Sequence, residues 1–321
     1  MSNKVSLQIN LALGDYPHAR HILPHQLKTL AGQVDEVVLT LDTRPGKGRF
    51  SEGWNEYAAL LNEYLHQEIE PTFNVKVIPV DYSATVRTKI ARYFFGTDHT
   101  PEKDFRGGPF YAYFFGLFSA THNLVFHLDS DMFLGGGSKT WMQEACAFFQ
   151  NDPSCLIISP LPGPPQPDGK LIDQLVINKL NNHTYQLDGM STRVFMINKA
   201  IFKDHKLTFA KPAARNQLKA MVQGNPNADL PEHLILSFMK KHHFKRIDFL
   251  GTGTGLWSLH PPYRTTGFYE KLPELIRQVE TNDLPVAQQG FYDIIDEVCD
   301  WTEARKKIAA NRWWKTLLNK H

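Results

Sequence analysis

The stretch that most constrains the fold is residues 125–133, VFHLDSDMF. Its apolar start, which opens on a β-branched valine, predicts a buried strand. Two carboxylates one residue apart, Asp129 and Asp131, come next, and glycines at 135–137 make a regular continuation unfavourable. Carboxylates directly after a buried strand cost free energy unless a cation or hydrogen-bond donors meet them. The sequence therefore predicts that positive charge or donors face this pair.

In an open α/β sheet, ligands bind beyond the carboxyl ends of the strands, which is where this pair falls. Hard divalent cations such as Mg²⁺ and Mn²⁺ prefer oxygen ligands and often share their shell with phosphate oxygens. The strand followed by Asp-x-Asp thus predicts a metal ion that holds a phosphorylated substrate. The alternative is that both acids only shape a turn or cap the next helix.

The composition is that of an ordinary globular protein. The chain has 321 residues, of which 42% are hydrophobic and 21% charged, enough for one large α/β domain or two small ones. A net charge of +2 gives no reason to expect nucleic acid as a partner. The 3 cysteines lack CxxC spacing and are too few for a disulfide framework, and no apolar run is long enough to span a bilayer. With no signal-peptide core before the first strand, we expect a cytoplasmic protein.

The order of elements predicts a mostly parallel sheet. A strand at 5–13, a helix at 21–30 and a strand at 35–43 form the opening of a βαβ unit. A third strand is predicted at 75–80. A glycine-containing loop then enters a helix that leads into the strand of the carboxylate pair, and Arg106 directly precedes those glycines. We therefore expect Arg106 to reach the phosphates of a substrate.

The glycine-containing helix entry, the buried strand and Asp-Ser-Asp follow one another within residues 106–136. In this order they resemble nucleotide-sugar glycosyltransferases of the GT-A fold, especially the large family-2-like group. The resemblance implies a GT-A-like α/β fold, with a mostly parallel Rossmann-like sheet and helices on both faces. It implies transfer of a glycosyl group from a nucleotide diphosphate sugar, UDP-sugar before GDP-sugar, to an acceptor hydroxyl. Residues 1–290 would form the catalytic domain, and residues 291–321 a C-terminal helical extension whose first apolar residues fall at helical spacing.

The resemblance also assigns roles around the metal ion, Mn²⁺ or Mg²⁺. Asp131 would bind the ion directly, and so would His260, which lies in a late loop before two prolines. Asp129 would meet the ribose or a metal-bound water, with Ser130 beside the donor. Arg264 would neutralise the leaving diphosphate. The alternative for His260 is a structural histidine, the more frequent role of a lone imidazole.

Two further segments would line the donor pocket by the same resemblance. Asp42, at the end of the second predicted strand, would meet the nucleotide base or ribose. Asp188, Gly189 and Met190 lie in a small-residue loop before another apolar strand and would touch the donor sugar or the acceptor. The alternatives are a loop or helix-cap acid at Asp42 and an ordinary turn at 188–190.

A helix is predicted to begin near Pro231, where the resembled family has a Glu-Asp pair whose aspartate is commonly the general base of inverting enzymes. Here the pair is Glu232-His233, so an imidazole takes the usual position of the base. A glutamate and a neutral histidine can both accept a hydroxyl proton. We expect Glu232 to be the base, with His233 as second choice. The alternative is that Glu232 is an acid favoured by the helix dipole.

Other functions stay open. A nucleotidyltransferase also uses metal and carboxylates on an α/β sheet, but it would carry a glycine-rich, basic phosphate loop after the first strand, which residues 10–15 lack. The third class is a catalytically inactive nucleotide-sugar-binding module, for which the Glu-His pair leaves room. The basic, amphipathic tail at 304–321 either caps the core or lies on an anionic membrane beside a lipid-linked acceptor.

Overall fold

The computed structural model of the protein describes residues 4–46 and 53–310. The strands are β1 Val5–Ala12, β2 Glu36–Asp42, β3 Lys76–Pro79, β4 Leu124–Asp129, β5 Phe133–Gly135, β6 Cys155–Pro162, β7 Val176–Asn181, β8 Thr184–Leu187, β9 Val194–Asn198, β10 Lys245–Phe249 and β11 Trp257–Leu259. The α-helices are α1 Tyr16–Leu30, α2 Trp54–Tyr64, α3 Glu70–Thr72, α4 Ala84–Phe95, α5 Tyr111–Ser119, α6 Trp141–Asn151, α7 Ile201–Asp204, α8 Ala214–Gln223, α9 Pro231–His242, α10 Thr266–Glu280 and α11 Thr302–Ala310.

The strands form one sheet in the order β3-β2-β1-β4-β9-β6-β10-β8-β7, and β11 pairs with β5 and β6. β1 to β4 are mutually parallel, as are β6 and β10, whereas β9 runs antiparallel between β4 and β6. The strands predicted at 5–13, 35–43 and 75–80 all form, each within one residue of the predicted bounds. The mostly parallel sheet is thus confirmed.

Helices cover both faces of the sheet because side chains alternate between the faces along each strand. On one face, Leu7 and Phe126 belong to a core cluster with Leu23 of α1 and with residues of α2 and α6. On the other face, Val125 and Phe195 belong to a cluster built by α4, α5 and α9. This is the α/β architecture predicted from the sequence.

The carboxyl ends of β1, β2 and β4 meet at one edge of the sheet. Ala12 at the end of β1 pairs with Asp42 at the end of β2, and Asn10 pairs with Asp129 at the end of β4. Because β9 is antiparallel to β4, it begins at the edge where β4 ends. The last residues of the loop before β9 therefore lie beside the carboxylates.

The segment after residue 290 differs from the predicted helix. Residues 291–301 form no helix, because Phe291 bridges Ile172 and Asp293 bridges His260 in short strand-like pairings. Apolar residues at helical spacing do not exclude this extended path, because the backbone conformation here is fixed by the pairing with neighbouring segments. The predicted helical extension therefore starts later than expected.

The helical part of the extension is α11. The expectation of a membrane-facing tail falls mostly on residues 311–321, which lie outside the described residues. The division of the chain at residue 290 stays a prediction. Among the described helices, none is both long enough and apolar enough to cross a lipid bilayer.

Candidate functional site

Asp131 lies in a network of hydrogen bonds at this edge of the sheet. Its Oδ2 accepts from Arg264 Nε at 3.1 Å and from Nη2 at 2.7 Å. The same guanidinium donates to Asp15 Oδ1 from Nη1 at 3.2 Å. Asp15 also accepts from the hydroxyl of Ser130 at 2.9 Å, and His18 Nε2 lies 3.0 Å from that hydroxyl oxygen. One arginine therefore ties the predicted metal ligand to the first turn after β1.

The surrounding charges keep Asp131 ionised. Burial alone would raise the pKa of Asp131, but Arg264, His260 and His18 outweigh burial and hold that pKa well below its usual range. Burial and the charge of Arg264 lower the pKa of His18 from 6.5 to about 4. An ionised carboxylate thus lies beside a neutral imidazole at neutral pH.

The hydrogen bonds also assign the tautomer of His18. The Ser130 hydroxyl has one proton, and it donates that proton to Asp15. Its oxygen must therefore accept from His18 Nε2–H, and His18 Nδ1 has no hydrogen-bond partner among the described residues. A proton added to Nδ1 would be buried without an acceptor, which explains the low pKa of His18.

Asp129 does not join this network. β4 ends at Asp129, and the next turn is closed by the Met132 N–H, which donates to the Asp129 carbonyl at 3.2 Å. Asp129 Oδ1 lies 3.4 Å from Nε2 of His127, on the face of the sheet that α5 covers. Across the strand pair, the Arg193 carbonyl accepts from the Asp129 N–H at 2.8 Å. The turn therefore separates two carboxylates that the sequence predicts to share one metal.

The side chains that lie next to Asp129, towards the interior of the protein, are polar although they are buried. We call them the polar floor. His127 Nδ1 lies 2.5 Å from Gln8 Oε1, and Gln8 Nε2 donates to Asn10 at 2.8 Å and to Thr40 at 2.7 Å. Because these bonds orient the Gln8 amide, His127 must donate from Nδ1. The Tyr113 ring lies 5.1 Å from the His127 ring. The Tyr113 hydroxyl and His127 Nε2 have no hydrogen-bond partner among the described residues.

His260 lies in the loop after β11 and contacts the segment that the sequence assigned to a helix. Its Nδ1 is 2.7 Å from Asp293 Oδ1, and its ring stacks on Tyr292 with 5.8 Å between centroids. The backbone N–H of His260 donates to the Tyr292 carbonyl at 2.9 Å. Sequence reasoning missed Tyr292 and Asp293, because their neighbours have the spacing of a helix.

The side chains at this edge match the ligand preferences of Mn²⁺ or Mg²⁺ only in part. Among the described residues, no group of three or more His, Cys, Asp or Glu side chains could hold a metal ion. Asp129, Asp131 and His260 are therefore not a formed three-ligand site, since the turn separates Asp129 and Arg264 binds Asp131. His260 is near enough to Asp131 to contribute to the lowered pKa of that carboxyl. Mg²⁺ usually takes one or two protein ligands and completes its shell with water and substrate phosphates. Asp131 and His260 would be the protein ligands of such a cation, which would supply positive charge beside a phosphorylated substrate, and Arg264 would then have to release Asp131.

Asp42 lies at the predicted place, at the end of β2, and is held by donors of its own. Its Oδ1 accepts from the Tyr82 hydroxyl at 2.7 Å and from the Arg44 N–H at 3.0 Å. Lys103 Nζ lies 3.2 Å from Oδ2. The Arg44 guanidinium lies over the Tyr82 ring, 4.0 Å from its centroid, and pairs with Glu102. An aromatic face and fixed charges therefore surround the Asp42 carboxylate.

Arg106 does not reach these groups. Its guanidinium lies 5.3 Å from the centroid of the Phe105 ring, and the residue is exposed. The backbone N–H groups of Arg106 and Gly108 both donate to Asp104, which fixes the turn. The cation that this loop brings to the end of β2 is Lys103, which the sequence analysis overlooked in favour of the basic residue beside the glycines.

Glu232 and His233 project in different directions from α9. Glu232 is half-buried, and its Oε2 lies 3.5 Å from Thr192 Oγ1 in the loop before β9. His233 is exposed, and its Nδ1 lies 2.8 Å from Asp229. Successive helical residues are rotated by about 100°, so the two side chains cannot face the same crevice. The structure directs Glu232 towards the carboxylate edge and His233 away from it.

The loop at 188–190 has a defined shape. Asp188 accepts the N–H of Gly189 at 2.9 Å and pairs with Lys240 at 3.1 Å. Gly189 has a φ of +105°, which strongly favours glycine, and Met190 packs against the core on the side of α5 and α9. Asp188 and Gly189 line a cavity of about 190 Å³ between β8 and α9. The same cavity is lined by Lys240 near the end of α9 and by Lys245 at the start of β10. Because β10 runs in the same direction as β4, Asp188 and Gly189 lie near the amino edge of the sheet and not beside Asp129 and Asp131.

Around Asp129 and Asp131, the described acids outnumber the described bases. The charged residues there, acids first, are Asp15, Asp129, Asp131, Glu232, Asp293, Arg193 and Arg264. The charge of Arg264 is already shared between two of the acids. A phosphorylated ligand therefore meets a negative surface unless a cation comes with it.

Solved structures of similar shape include nucleotide-sugar enzymes. Residues 1–349 of TarS from S. aureus share 16% identity with this chain, with a TM-score of 0.36, over 88% of this chain and 67% of that one. The chain spans 41% of a longer TarS structure. A UDP-glucose pyrophosphorylase complexed with UDP-glucose shares 8% identity, with a TM-score of 0.44, over 86% of this chain and 99% of that one.

A third similar structure is glucosyl-3-phosphoglycerate synthase from Mycobacterium tuberculosis, solved with Mn²⁺, UDP and glucosyl-3-phosphoglycerate. It shares 10% identity, with a TM-score of 0.37, over 87% of this chain and 77% of that one. No family model matches the sequence, and no curated protein sequence matches it. All three TM-scores are below 0.5, so these structures carry no argument about what this chain does.

Proposed function

We propose that the protein transfers a glycosyl group from a nucleotide diphosphate sugar, UDP-sugar before GDP-sugar, to an acceptor hydroxyl with the help of Mn²⁺ or Mg²⁺. The observation that carries the proposal is the excess of carboxylates at the carboxyl edge of a parallel sheet. A diphosphate is repelled from that edge unless positive charge accompanies it. A divalent cation held by Asp131 and His260 would supply that charge opposite the leaving diphosphate.

The residues around the cation then take distinct roles. Asp42 would meet the nucleoside from the end of β2, and Asp129 the ribose or a metal-bound water. Arg264 would exchange its bonds to Asp131 for bonds to the diphosphate oxygens, because the cation takes over the charge of that carboxylate. Ser130 donates to Asp15, so we assign it to holding the turn and no longer to the donor.

Glu232 would act on the acceptor. In an inverting reaction, its carboxylate takes the hydroxyl proton while the acceptor oxygen attacks the anomeric carbon. The bond from that carbon to the diphosphate oxygen breaks, and the diphosphate leaves with the electron pair. In a retaining reaction, Glu232 would position the acceptor or stabilise an oxocarbenium-like centre. Asp188 and Gly189 line a cavity near the amino edge of the sheet and Met190 packs against the core, so we no longer assign these three residues to the sugar pocket.

Incubation with a panel of UDP-, GDP- and dTDP-sugars, with Mn²⁺ or with EDTA, tests the proposal. We expect slow, metal-dependent hydrolysis of one donor, and calorimetry should show nucleoside diphosphate binding that tightens with Mn²⁺. Asp131→Asn should abolish the tightening, whereas Asp98→Asn, at an exposed ion pair, should keep it. His260→Ala should weaken the tightening less than Asp131→Asn, because water can replace one ligand. A wild-type protein that neither binds nor hydrolyses any member of the panel would refute the proposal.

The same panel separates the alternatives. A nucleotidyltransferase would form a nucleoside triphosphate from the nucleotide sugar and pyrophosphate, and a binding module would bind the donor without turnover. The chain after β1 enters a short 3-10 helix, Leu13–Asp15, and not a glycine-rich basic loop. This observation disfavours the nucleotidyltransferase.

A further inference from the structure

Arg193 directly precedes β9, and the strand pairing fixes its position. Its carbonyl accepts the N–H of Asp129, which makes the two residues cross-strand neighbours. Two residues further from the edge, the Phe195 and His127 rings contact each other at 5.1 Å between centroids. Because side chains alternate along paired strands, Arg193 and Asp129 project from the same face of the sheet.

Within the described part of the chain, the Arg193 side chain has no hydrogen-bonding or ion-pair partner. Its backbone N–H lies 3.4 Å from Ser191 Oγ, but its guanidinium forms neither a hydrogen bond nor an ion pair with any described residue. Arg264 differs, because it donates to two carboxylates. Arg246 also differs, since it forms a buried two-bond pair with Asp248 at 2.6 and 2.7 Å. Arg193 therefore keeps its donors available at a half-buried position.

Arg193 lies on the side of the site where the acceptor is expected. Thr192, the preceding residue, contacts Glu232, the proposed base. Burial lowers the pKa of Arg193, but Tyr292 and the nearby acids raise it by more, so the guanidinium is charged. An acceptor with negative charge would otherwise be repelled by the carboxylates here. The charged guanidinium of Arg193, which is near enough to Asp129 and Glu232 to be influenced by them, reduces that repulsion.

We propose that Arg193 binds an anionic group of the acceptor, a phosphate or a carboxylate, so that the substrate is a negatively charged hydroxyl compound. The inference rests on the proposed function, because it takes Glu232 as the base. The planar guanidinium offers two parallel N–H groups, which match the oxygens of a phosphate or carboxylate. Arg264 and the cation site serve the donor diphosphate, which leaves Arg193 for the acceptor.

Calorimetry on the full chain tests this assignment with inorganic phosphate and glycerol 3-phosphate as probes and glycerol as the neutral control. UDP with Mg²⁺ is titrated first, and each probe is then titrated at saturating UDP. We expect the wild type to bind both anions but not glycerol. Arg193→Gln should weaken anion binding by about tenfold or more and leave the UDP affinity within about twofold.

Two variants control the measurement. Arg215→Gln removes one positive charge from the exposed part of α8 and should change neither affinity. Arg193→Lys keeps the charge but not the paired donors, and it should recover part of the anion affinity. A lower UDP affinity in Arg193→Gln with unchanged anion binding would assign Arg193 to the donor and overturn the proposal. Anion binding that is absent in the wild type, or equal in all variants, would overturn it too.

Failure of the proposed function gives a different result. In that case the wild type binds no UDP. Titration of phosphate in the absence of UDP then still compares the wild-type protein with Arg193→Gln. If UDP binds normally and phosphate binding does not depend on Arg193, the inference about the acceptor fails and the proposed function stands.

Discussion

The two aspartates of the Asp-Ser-Asp motif lie in regions that differ in how completely their polar groups are paired. We call the first region the Arg264 network; it consists of Asp15, His18, Ser130, Asp131 and Arg264. We call the second region the Asp129 side; it consists of Tyr113, His127, Asp129, Arg193 and Glu232. In the Arg264 network, hydrogen bonds of 2.7–3.2 Å join every member to another, and among the described residues only His18 Nδ1 of this network is left as a buried atom without a partner. On the Asp129 side, a buried hydroxyl, a ring nitrogen and a guanidinium lack hydrogen-bond partners among the described residues.

The difference indicates what each region does before and after a substrate binds. Polar networks whose members are hydrogen-bonded to one another hold their geometry, and any ligand must replace bonds that already exist. Unpaired polar groups cost free energy in the free protein and regain it when a ligand supplies the partner. We therefore expect the Arg264 network to matter for stability and for cation exchange. We expect the Asp129 side to matter for turnover.

The largest effect is expected on the Asp129 side. Glu232→Gln keeps the shape of the side chain but removes the proton acceptor, so kcat should fall by ~10²–10⁴-fold. UDP affinity should stay nearly unchanged, since Glu232 contacts Thr192 and no member of the Arg264 network. Initial rates with the donor found by the panel measure the first quantity, and calorimetry measures the second.

The matched control is the next residue along α9. His233→Gln alters an exposed side chain that pairs with Asp229, and kcat should fall by less than about tenfold. If His233→Gln were the more damaging change, the base would be the imidazole, and the direction of Glu232 in the structure would be irrelevant to turnover.

Local patterns predicted the sheet and the edge at which the site lies. Apolar runs of strand length placed β1, β2 and β3, and the acids that end β2 and β4 identified the carboxyl edge. These predictions succeeded because a strand and its end depend on a few neighbouring residues. The outward direction of His233 also follows from local geometry, because adjacent helical residues diverge.

Other parts of the site depend on long-range contacts that no local pattern shows. Asp15 belongs to no recognisable motif. It nevertheless accepts a hydrogen bond from Arg264, which is 249 residues further along the chain and also binds Asp131. The extended path after residue 290 depends on pairing with His260. Gly116 is required because an added Cβ would lie 2.6 Å from Gln8 Nε2, where α5 packs on the polar floor. Such close approaches appear only once the strands have paired.

The second prediction concerns a substitution that disrupts the Arg264 network. Arg264→Met leaves Asp131 and Asp15 without a counter-charge, and breaking a buried pair costs ~3–5 kcal/mol. Because the Arg264 side chain is 40% exposed, solvent screening reduces the expected loss in free energy of unfolding to about 2–3 kcal/mol. Urea unfolding measures it. Mn²⁺ should stabilise the variant more than the wild type, since a cation can replace the lost charge.

The control for this change is an arginine outside the site. Arg305→Met removes an exposed pair with Asp296, and its effect should be much smaller and independent of Mn²⁺. Equal losses in the two variants would mean that the Arg264 network contributes no more than a surface ion pair.

The third prediction uses the pH dependence of the same network. The pKa of His18 falls from 6.5 to about 4 on folding, so the unfolded chain binds more protons between these values. The contribution of His18 is therefore fully present above about pH 6.5 and is lost as the pH falls towards 4. At pH 5 the loss should be about 2 kcal/mol relative to pH 7.5.

Urea unfolding at both pH values tests this sign. His18→Gln, whose amide can still donate to Ser130, should remove that part of the difference. His66→Gln, at a histidine whose side chain is 84% exposed, should leave the difference as it is in the wild type. A difference that survives unchanged in His18→Gln would show that other groups carry the acid sensitivity.

The smallest effects compare one hydroxyl from each region. Ser130→Ala removes a hydroxyl that donates to Asp15 and accepts from His18, and it should cost about 1–2 kcal/mol in free energy of unfolding. Tyr113→Phe removes a hydroxyl that has no hydrogen-bond partner among the described residues, so its cost should be close to zero. Both side chains are buried, and both changes keep the rest of the side chain in place. Urea unfolding at neutral pH compares them directly.

A loss of more than about 1 kcal/mol in Tyr113→Phe would mean that the free protein already pairs this hydroxyl, for example through an ordered water. The Asp129 side would then have fewer unpaired polar groups than the structure shows, and the contrast between the two regions would be weaker.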